Sequence, residues 1–341
     1  MLRAFDAHDD PQLPRGKQDW RRDPHVIWYH RSTGIWRSVW IEEVPELHVR
    51  SIDWDFDLPT GSVGYVVRLP GALPGGAAIG ISLTHEDETL AHIEVVSSGD
   101  RVAGRIELPT PRNAQDRERL LWTPEQPVLI DAAVVVRDHG TGDADETLGY
   151  LGLRTTAVGR GMFLLNRMPY FIRSVLEQGY WPETHLAAPS PVHLRLEVEL
   201  IKELGFNALQ VHQKVEDPRF HHCANRVGLL VWVETAAAYE YTPDAAGALM
   251  SEWLQIVAQY RNHPSVVTWV PVNESWGVQD LADDPAQRSF VRAITEMTRA
   301  LDPNRPVVSN DGWVGAHRQR PAHRARLHDR RRGAARPVRF A

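Results

Sequence analysis

Two adjacent polar residues, Asn273 and Glu274, end the apolar run Val266-Val267-Thr268-Trp269-Val270-Pro271-Val272 and lead into Ser275-Trp276-Gly277. Strands buried on both faces of a parallel sheet read as near-continuous apolar runs, so this one delivers a carboxylate to its own C-terminal end. A Glu held there on rigid scaffold is a candidate acid, base or nucleophile. Other reactive side chains occupy comparable places. Glu234 closes the run Leu229 to Val233, and Asp311 follows Val307 to Asn310. For both, a structural salt bridge or cap competes with substrate contact. His212 ends the run from Ala208 and Lys214 follows in His-Gln-Lys, which offers a pocket two polar donors. A lone His at a strand end is nonetheless more often structural. Trp276 and Trp181 are either flat apolar platforms or core.

Some residue types point to no chemistry. His221 and His222 are adjacent and face two ways on a helix, so no metal is expected. Gly159-Arg160-Gly161 is followed by no Lys-Ser/Thr, reads as a turn between domains, and implies no phosphate-binding cofactor. Cys223, the only cysteine, excludes an intrachain disulfide and has no base to activate it.

From about residue 163 onward, apolar runs alternate with longer amphipathic segments, the rhythm of βα units around a parallel sheet. Strands are expected near 170–176, 208–212, 229–234, 266–273 and 307–310. Helices are expected at about 193–204, 218–227, 245–260 and 285–301. In an α/β barrel the chemistry gathers at the C-terminal strand ends, but a closed barrel needs eight such steps and five are visible here. Between about 44 and 157, short alternating runs such as Val63 to Leu69 and Ala78 to Leu83 are separated by Gly, Pro and Asp turns, which marks an antiparallel sandwich. Residues 1–45 hold two β-rich runs, 26–29 and 35–41, too little to bury a core.

The Asn-Glu strand end after Tyr260-Arg261-Asn262-His263-Pro264-Ser265 resembles the acid/base motif of glycoside hydrolase family 2, which includes β-galactosidases, β-glucuronidases and β-mannosidases. Further segments follow the family's order. Leu13 to Gln18 and Arg31 to Trp36 look like the end of its sugar-binding domain. Gln178-Gly179-Tyr180-Trp181-Pro182, Gly205 to Ala208, His212 to Phe220 and Gly228 to Trp232 look like the first half of its barrel. The resemblance implies an internal fragment with a jelly-roll remnant at 1–45, an immunoglobulin-like β-sandwich at 46–157, and an incomplete (β/α)8 TIM barrel at 158–313. It implies retaining hydrolysis of a terminal β-linked sugar, with Glu274 as general acid and then base. By the same resemblance Asn273 bonds the sugar 2-hydroxyl, Trp276 faces the ring, His212 and Lys214 donate to hydroxyls, and Glu234 is a pocket or structural carboxylate. The family commonly has Arg two positions before that His, where this chain has Gln210. Its nucleophile ends the seventh barrel strand, which lies past the point where this sequence stops being barrel-like, so no residue is assigned that role. The chain alone is expected to be inactive, and a homo-oligomer is expected only of a longer parent.

Length and composition suit two or three globular domains, and no apolar stretch is long enough to span a membrane. Residues 1–10 lack the apolar core of a signal peptide, which favours a cytoplasmic location. Residues 315–341 carry nine Arg and one Asp, which leaves −14 for the remainder of a chain whose net charge is −6. The tail at 314–341 has no Lys and no period; it suits frameshifted or disordered sequence better than a nucleic-acid arm, so no nucleic acid is expected as partner. The alternative to a hydrolase is a non-catalytic carbohydrate-binding or interaction protein derived from one.

Overall fold

The computed structural model of the chain describes residues 3–7, 9–72, 75–109 and 116–312. The Arg-rich tail expected at 314–341 lies outside the described residues. The chain divides into two compact units: Val39–Thr155 with Asn262–Pro264, and a second made of Met1–Ser38, Thr156–Arg261 and Ser265–Ala341.

The first unit is a sandwich of two antiparallel sheets. Strands β1 (Ser51–Asp57), β2 (Ser62–Arg68) and β5 (Arg101–Glu107) form one in the order β1-β2-β5. Strands β3 (Ala77–His85), β4 (Glu88–Ser97), β6 (Ile130–Asp138) and β7 (Ala144–Leu151) form the other in the order β4-β3-β6-β7. The period-2 patterning expected of such strands turns Ile79, Ile81 and Leu83 from one sheet toward Val63, Tyr65 and Val67 of the other, and these share one core.

The second unit holds the βα rhythm. A small antiparallel sheet of β8 (Thr156–Gly159), β9 (Met162–Leu165) and β10 (Met168–Pro169) precedes it. Four parallel strands follow in sequence order: β11 (Ser174–Glu177), β12 (Ala208–Val211), β13 (Leu230–Glu234) and β14 (Val266–Val270). Each pair of neighbours is connected by a helix: α1 (Pro191–Glu203), α2 (Pro218–Val227) and α3 (Pro243–Tyr260), with α4 (Pro285–Leu301) after β14. Each of these four helices begins with Pro, whose missing N–H costs nothing in the first turn. Asp217, Thr242 and Asp284 cap three of them, accepting from the backbone N–H of Arg219, Ala245 and Ala286. Gly228, at φ 79°, ends α2 in the left-handed region and turns the chain into β13.

The expected strand at 307–310 is present only as a strand-like run. Val308 N donates to Trp269 O at 2.9 Å and Asp311 N to Val272 O at 3.0 Å, with parallel bridges Trp269–Val307 and Asn273–Asp311. Pro271 stands between these contacts and has no N–H to donate, which interrupts the ladder. The strand expected from 170 begins at Ser174, because Arg173 N takes the side chain of Asn207 at 2.7 Å as its acceptor. The segment expected as a jelly-roll remnant shows one isolated bridge among its described residues, Gln18–Tyr29, and its residues up to Ser38 belong to the second unit.

Candidate functional site

The C-terminal ends of β12, β13 and β14 bring together His212, Glu234, Asn273, Glu274 and Asp311, with Gln210 among them. Glu274 and Ser275 both have left-handed backbone, φ 48° and 59°. Such a conformation is disfavoured for residues with a Cβ and persists only where surroundings enforce it. Here Glu274 N donates to Asp311 O at 2.7 Å, Ser275 N to Asn310 Oδ1 at 2.9 Å, and Trp276 N to Asn273 O at 2.9 Å. Gly312 leaves room for the Glu274 side chain, since a Cβ there would lie 3.2 Å from Glu274 Cγ. Among the described residues nothing hydrogen-bonds the half-buried Glu274 carboxylate. Asn273 beside it is buried, and its Nδ2 has no acceptor.

Glu234 is fully enclosed. It accepts from Gln210 Nε2 at 2.6 Å and from Gln213 N at 2.7 Å, and Gln210 Nε2 also reaches Asp311 Oδ2 at 2.9 Å. Burial above all raises the Glu234 pKa well above the ordinary carboxylate value; the hydrogen bonds from Gln210 and Gln213 oppose this, while Asp311 and Glu274 add to it. Gln210, where the family's Arg was expected, thus hydrogen-bonds both carboxylates of this corner. His212 Nδ1 lies 3.4 Å from Glu234 Oε1, and burial, then the charge of Lys17, lowers its pKa to about 4, so the ring is neutral near pH 7.

Lys214, expected to serve a ligand, is committed elsewhere. Its ammonium donates to Gly179 O at 2.5 Å and Leu186 O at 3.0 Å and pairs with Glu216. Below it Glu177 and Glu197 hydrogen-bond one another, and burial, followed by the neighbouring Glu197 and Glu216, raises the Glu177 pKa well above its usual value. Trp181 packs edge-on against His193 of α1, 5.5 Å away.

The residues that sequence reasoning missed come from the N-terminal segment. Arg15 N and Gly16 N both donate to Ala237 O at 3.1 Å, which lays the chain across the ends of β12 and β13. Lys17 follows, buried, and feels the charges of both Glu274 and Glu234; burial nonetheless lowers its pKa. Trp28 donates from Nε1 to the Tyr239 hydroxyl at 2.6 Å, and Trp276 packs edge-on against Trp28 and Tyr239 at 5.8 and 5.0 Å. No group of three or more His, Cys, Asp or Glu among the described residues could hold a metal, and no described helix is long and apolar enough to cross a membrane.

The chain is similar to known proteins in sequence and in fold. Residues 157–326 match the family model for the TIM barrel domain of glycosyl hydrolases family 2, a stretch that reaches into the Arg-rich tail. A putative β-glucuronidase of Formosa agariphila is 25% identical over 93% of this chain, and a β-galactosidase of Photobacterium profundum is 24% identical over 82%. The chain spans 38% and 28% of the lengths of these two relatives. Among solved structures, β-glucuronidase 3 of Bacteroides uniformis superposes with a TM-score of 0.66 at 20% identity, covering 77% of this chain and 33% of that one. A β-galacturonidase of Eisenbergiella tayi does so at 0.63 and 22%, covering 78% and 46%. The chain is a glycoside hydrolase family 2-like protein that matches the family's barrel-domain model over residues 157–326 and spans part of the length of its relatives.

Proposed function

We propose that this rim is the acid/base half of a site for retaining hydrolysis of a terminal β-linked sugar. Glu274 protonates the glycosidic oxygen as it leaves and then, as carboxylate, draws a proton from the attacking water. Asn273 donates from Nδ2 to the sugar 2-hydroxyl, a bond that strengthens as charge develops at the anomeric carbon. Trp276 faces the C–H side of the ring. Glu234 is a structural acid, since it is fully buried and its two oxygens already accept from Gln210 Nε2 and Gln213 N. One observation carries the reading: a carboxylate without a partner among the described residues stands beside a buried amide nitrogen without an acceptor, on backbone held in a disfavoured conformation.

The strand order of the sandwich supports an immunoglobulin-like identity, and the four parallel strands with their fifth run support the opening part of a (β/α)8 barrel. An outward apolar stripe on α1, made of Val192, Leu196 and Leu200 and continued by Leu204, also favours the incomplete barrel. Residues four apart share a helix face, and a further helix of a closed barrel would cover it. Retaining chemistry needs a second, ionised carboxylate about 5 Å from the acid. We assign none within these residues, so the 341-residue polypeptide by itself binds a sugar without cleaving it. The test is to incubate it with 4-nitrophenyl β-galactoside and β-glucuronide beside a Glu274→Gln control while following tryptophan fluorescence. Quenching without nitrophenol release is expected. Release above the control would overturn the inactivity, and absence of quenching by either sugar would overturn the carbohydrate site.

A further inference from the structure

The N-terminal segment is seated on the rim too closely to be a passive neighbour. Gly16 has φ 57°, and a Cβ at that position would stand 2.1 Å from the carbonyl oxygen of Gln213, just past the end of β12. Only glycine permits that approach. The seat is fixed on both sides. Arg15 Nη2 donates to Ala7 O at 3.0 Å and Asp10 O at 2.6 Å, and the Tyr239 hydroxyl donates to Gly16 O. Beyond it, buried Asp19 accepts from Arg21 N at 2.8 Å and His25 N at 2.7 Å.

Lys17 is clamped between these anchors. It is 5% exposed, and its ammonium lies 5.9 Å from the centre of the Trp28 ring. Among the described residues no hydrogen bond or ion pair engages the ammonium, so its donors stand open at the rim of a largely buried side chain. Asn273 Nδ2 on the same rim is a buried donor without an acceptor. Two unmet donors call for a ligand rich in acceptor oxygens. The charges of Glu274 and Glu234 already act on the ammonium, so the oxygen it suits is a neutral hydroxyl, not a second carboxylate.

We infer that Lys17, delivered by the N-terminal segment, is a substrate-binding residue that donates to a hydroxyl of the sugar held over Glu274. This rests on the carbohydrate reading above. The experiment measures dissociation constants of D-galactose and D-glucuronate by tryptophan fluorescence on the purified 341-residue polypeptide and on Lys17→Met, Lys17→Gln, Lys17→Arg and Gly16→Ala. Loss of a charged donor to a neutral oxygen should weaken binding of both sugars roughly 10- to 100-fold in the Met and Gln variants, with unchanged melting temperatures. Arg should restore part of the affinity. Gly16→Ala, which unseats the segment and keeps the ammonium, should weaken both sugars as well. If Met fails to fold, Gln supplies the same comparison. Wild-type affinity in the Met or Gln variant removes the inference and leaves the carbohydrate reading standing. A loss confined to glucuronate overturns the hydroxyl assignment, and no binding of either sugar by the wild type overturns both readings together.

Discussion

In the sandwich, β3 alternates buried Ala77, Ile79, Ile81 and Leu83 with half-buried Ala78, Gly80, Ser82 and Thr84, whereas all five residues of β13 in the barrel sheet are buried. Polar groups divide the same way. Ser62 and Arg154 are the buried polar side chains of the sandwich unit among its described residues, while the barrel unit buries Lys17, His212, Lys214, Glu216, Glu234 and Asn273 near its rim. Charges of the sandwich pair at the surface, as Arg68 does with Asp53 at 2.7 Å and Arg119 with Glu88 at 2.6 Å. A sheet with one wet face can leave its charges in water. A sheet covered on both faces must resolve them in low dielectric, where each shifts its neighbours, and this is the environment in which acid/base groups can be tuned.

The largest effect expected from this contrast is at Lys214. Lys214→Met leaves Glu216 buried without its cation and should cost about 3–5 kcal/mol in urea unfolding; a loss below about 1 kcal/mol would mean the cluster is wet and the contrast false. His212 comes next. Its folded pKa of about 4 lies below the unfolded 6.5, so the stability given by the neutral ring is complete above pH 6.5 and is lost as pH falls toward 4. That contribution is on the order of 3 kcal/mol, and His212→Gln should flatten the stability curve across this window. Glu234 works in the opposite sense. Its folded pKa lies above the unfolded 4.5, so its stabilisation is intact below 4.5 and drains away as pH rises through the folded value. Glu234→Gln should therefore gain on the wild type at pH 8 compared with pH 5, and equal slopes would show a carboxylate that ionises as freely as one on the sandwich surface. The smallest effect belongs to the sandwich itself: Arg68→Met, at a pair whose Arg is 42% exposed, should cost about 0.2–1 kcal/mol and less in high salt.

What could be read from the residues follows the range of the forces involved. Helices α2 and α4 begin at the expected Pro218 and Pro285, because an acidic cap followed by Pro is a local signal. The runs around 231 and 268 declare buried strands by composition alone, and their ends place Glu234, Asn273 and Glu274 on one rim. Lys214 shows the limit. Its spacing from Glu216 was visible, but not that its ammonium turns toward Gly179 and Leu186 and is consumed there. Lys17 lay further out of reach, since what puts it at the rim is the contact of Gly16 with Gln213 and Ala237, some two hundred positions away in sequence. Pro-Arg-Gly-Lys-Gln has no period, and the positive φ that its glycine adopts is seen only in the fold.

The backbone at Glu274 has a consequence for how such a chain can drift. A residue with a Cβ gives up roughly 1–2 kcal/mol by standing in the left-handed region, and glycine gives up almost none of it. Selection for stability alone would place glycine at 274, and Glu274→Gly should raise the melting temperature while erasing the acid. The carboxylate therefore stands against the preference of its own main chain, and the rim is the place where a lineage released from hydrolysis would first become more robust and less capable in the same step.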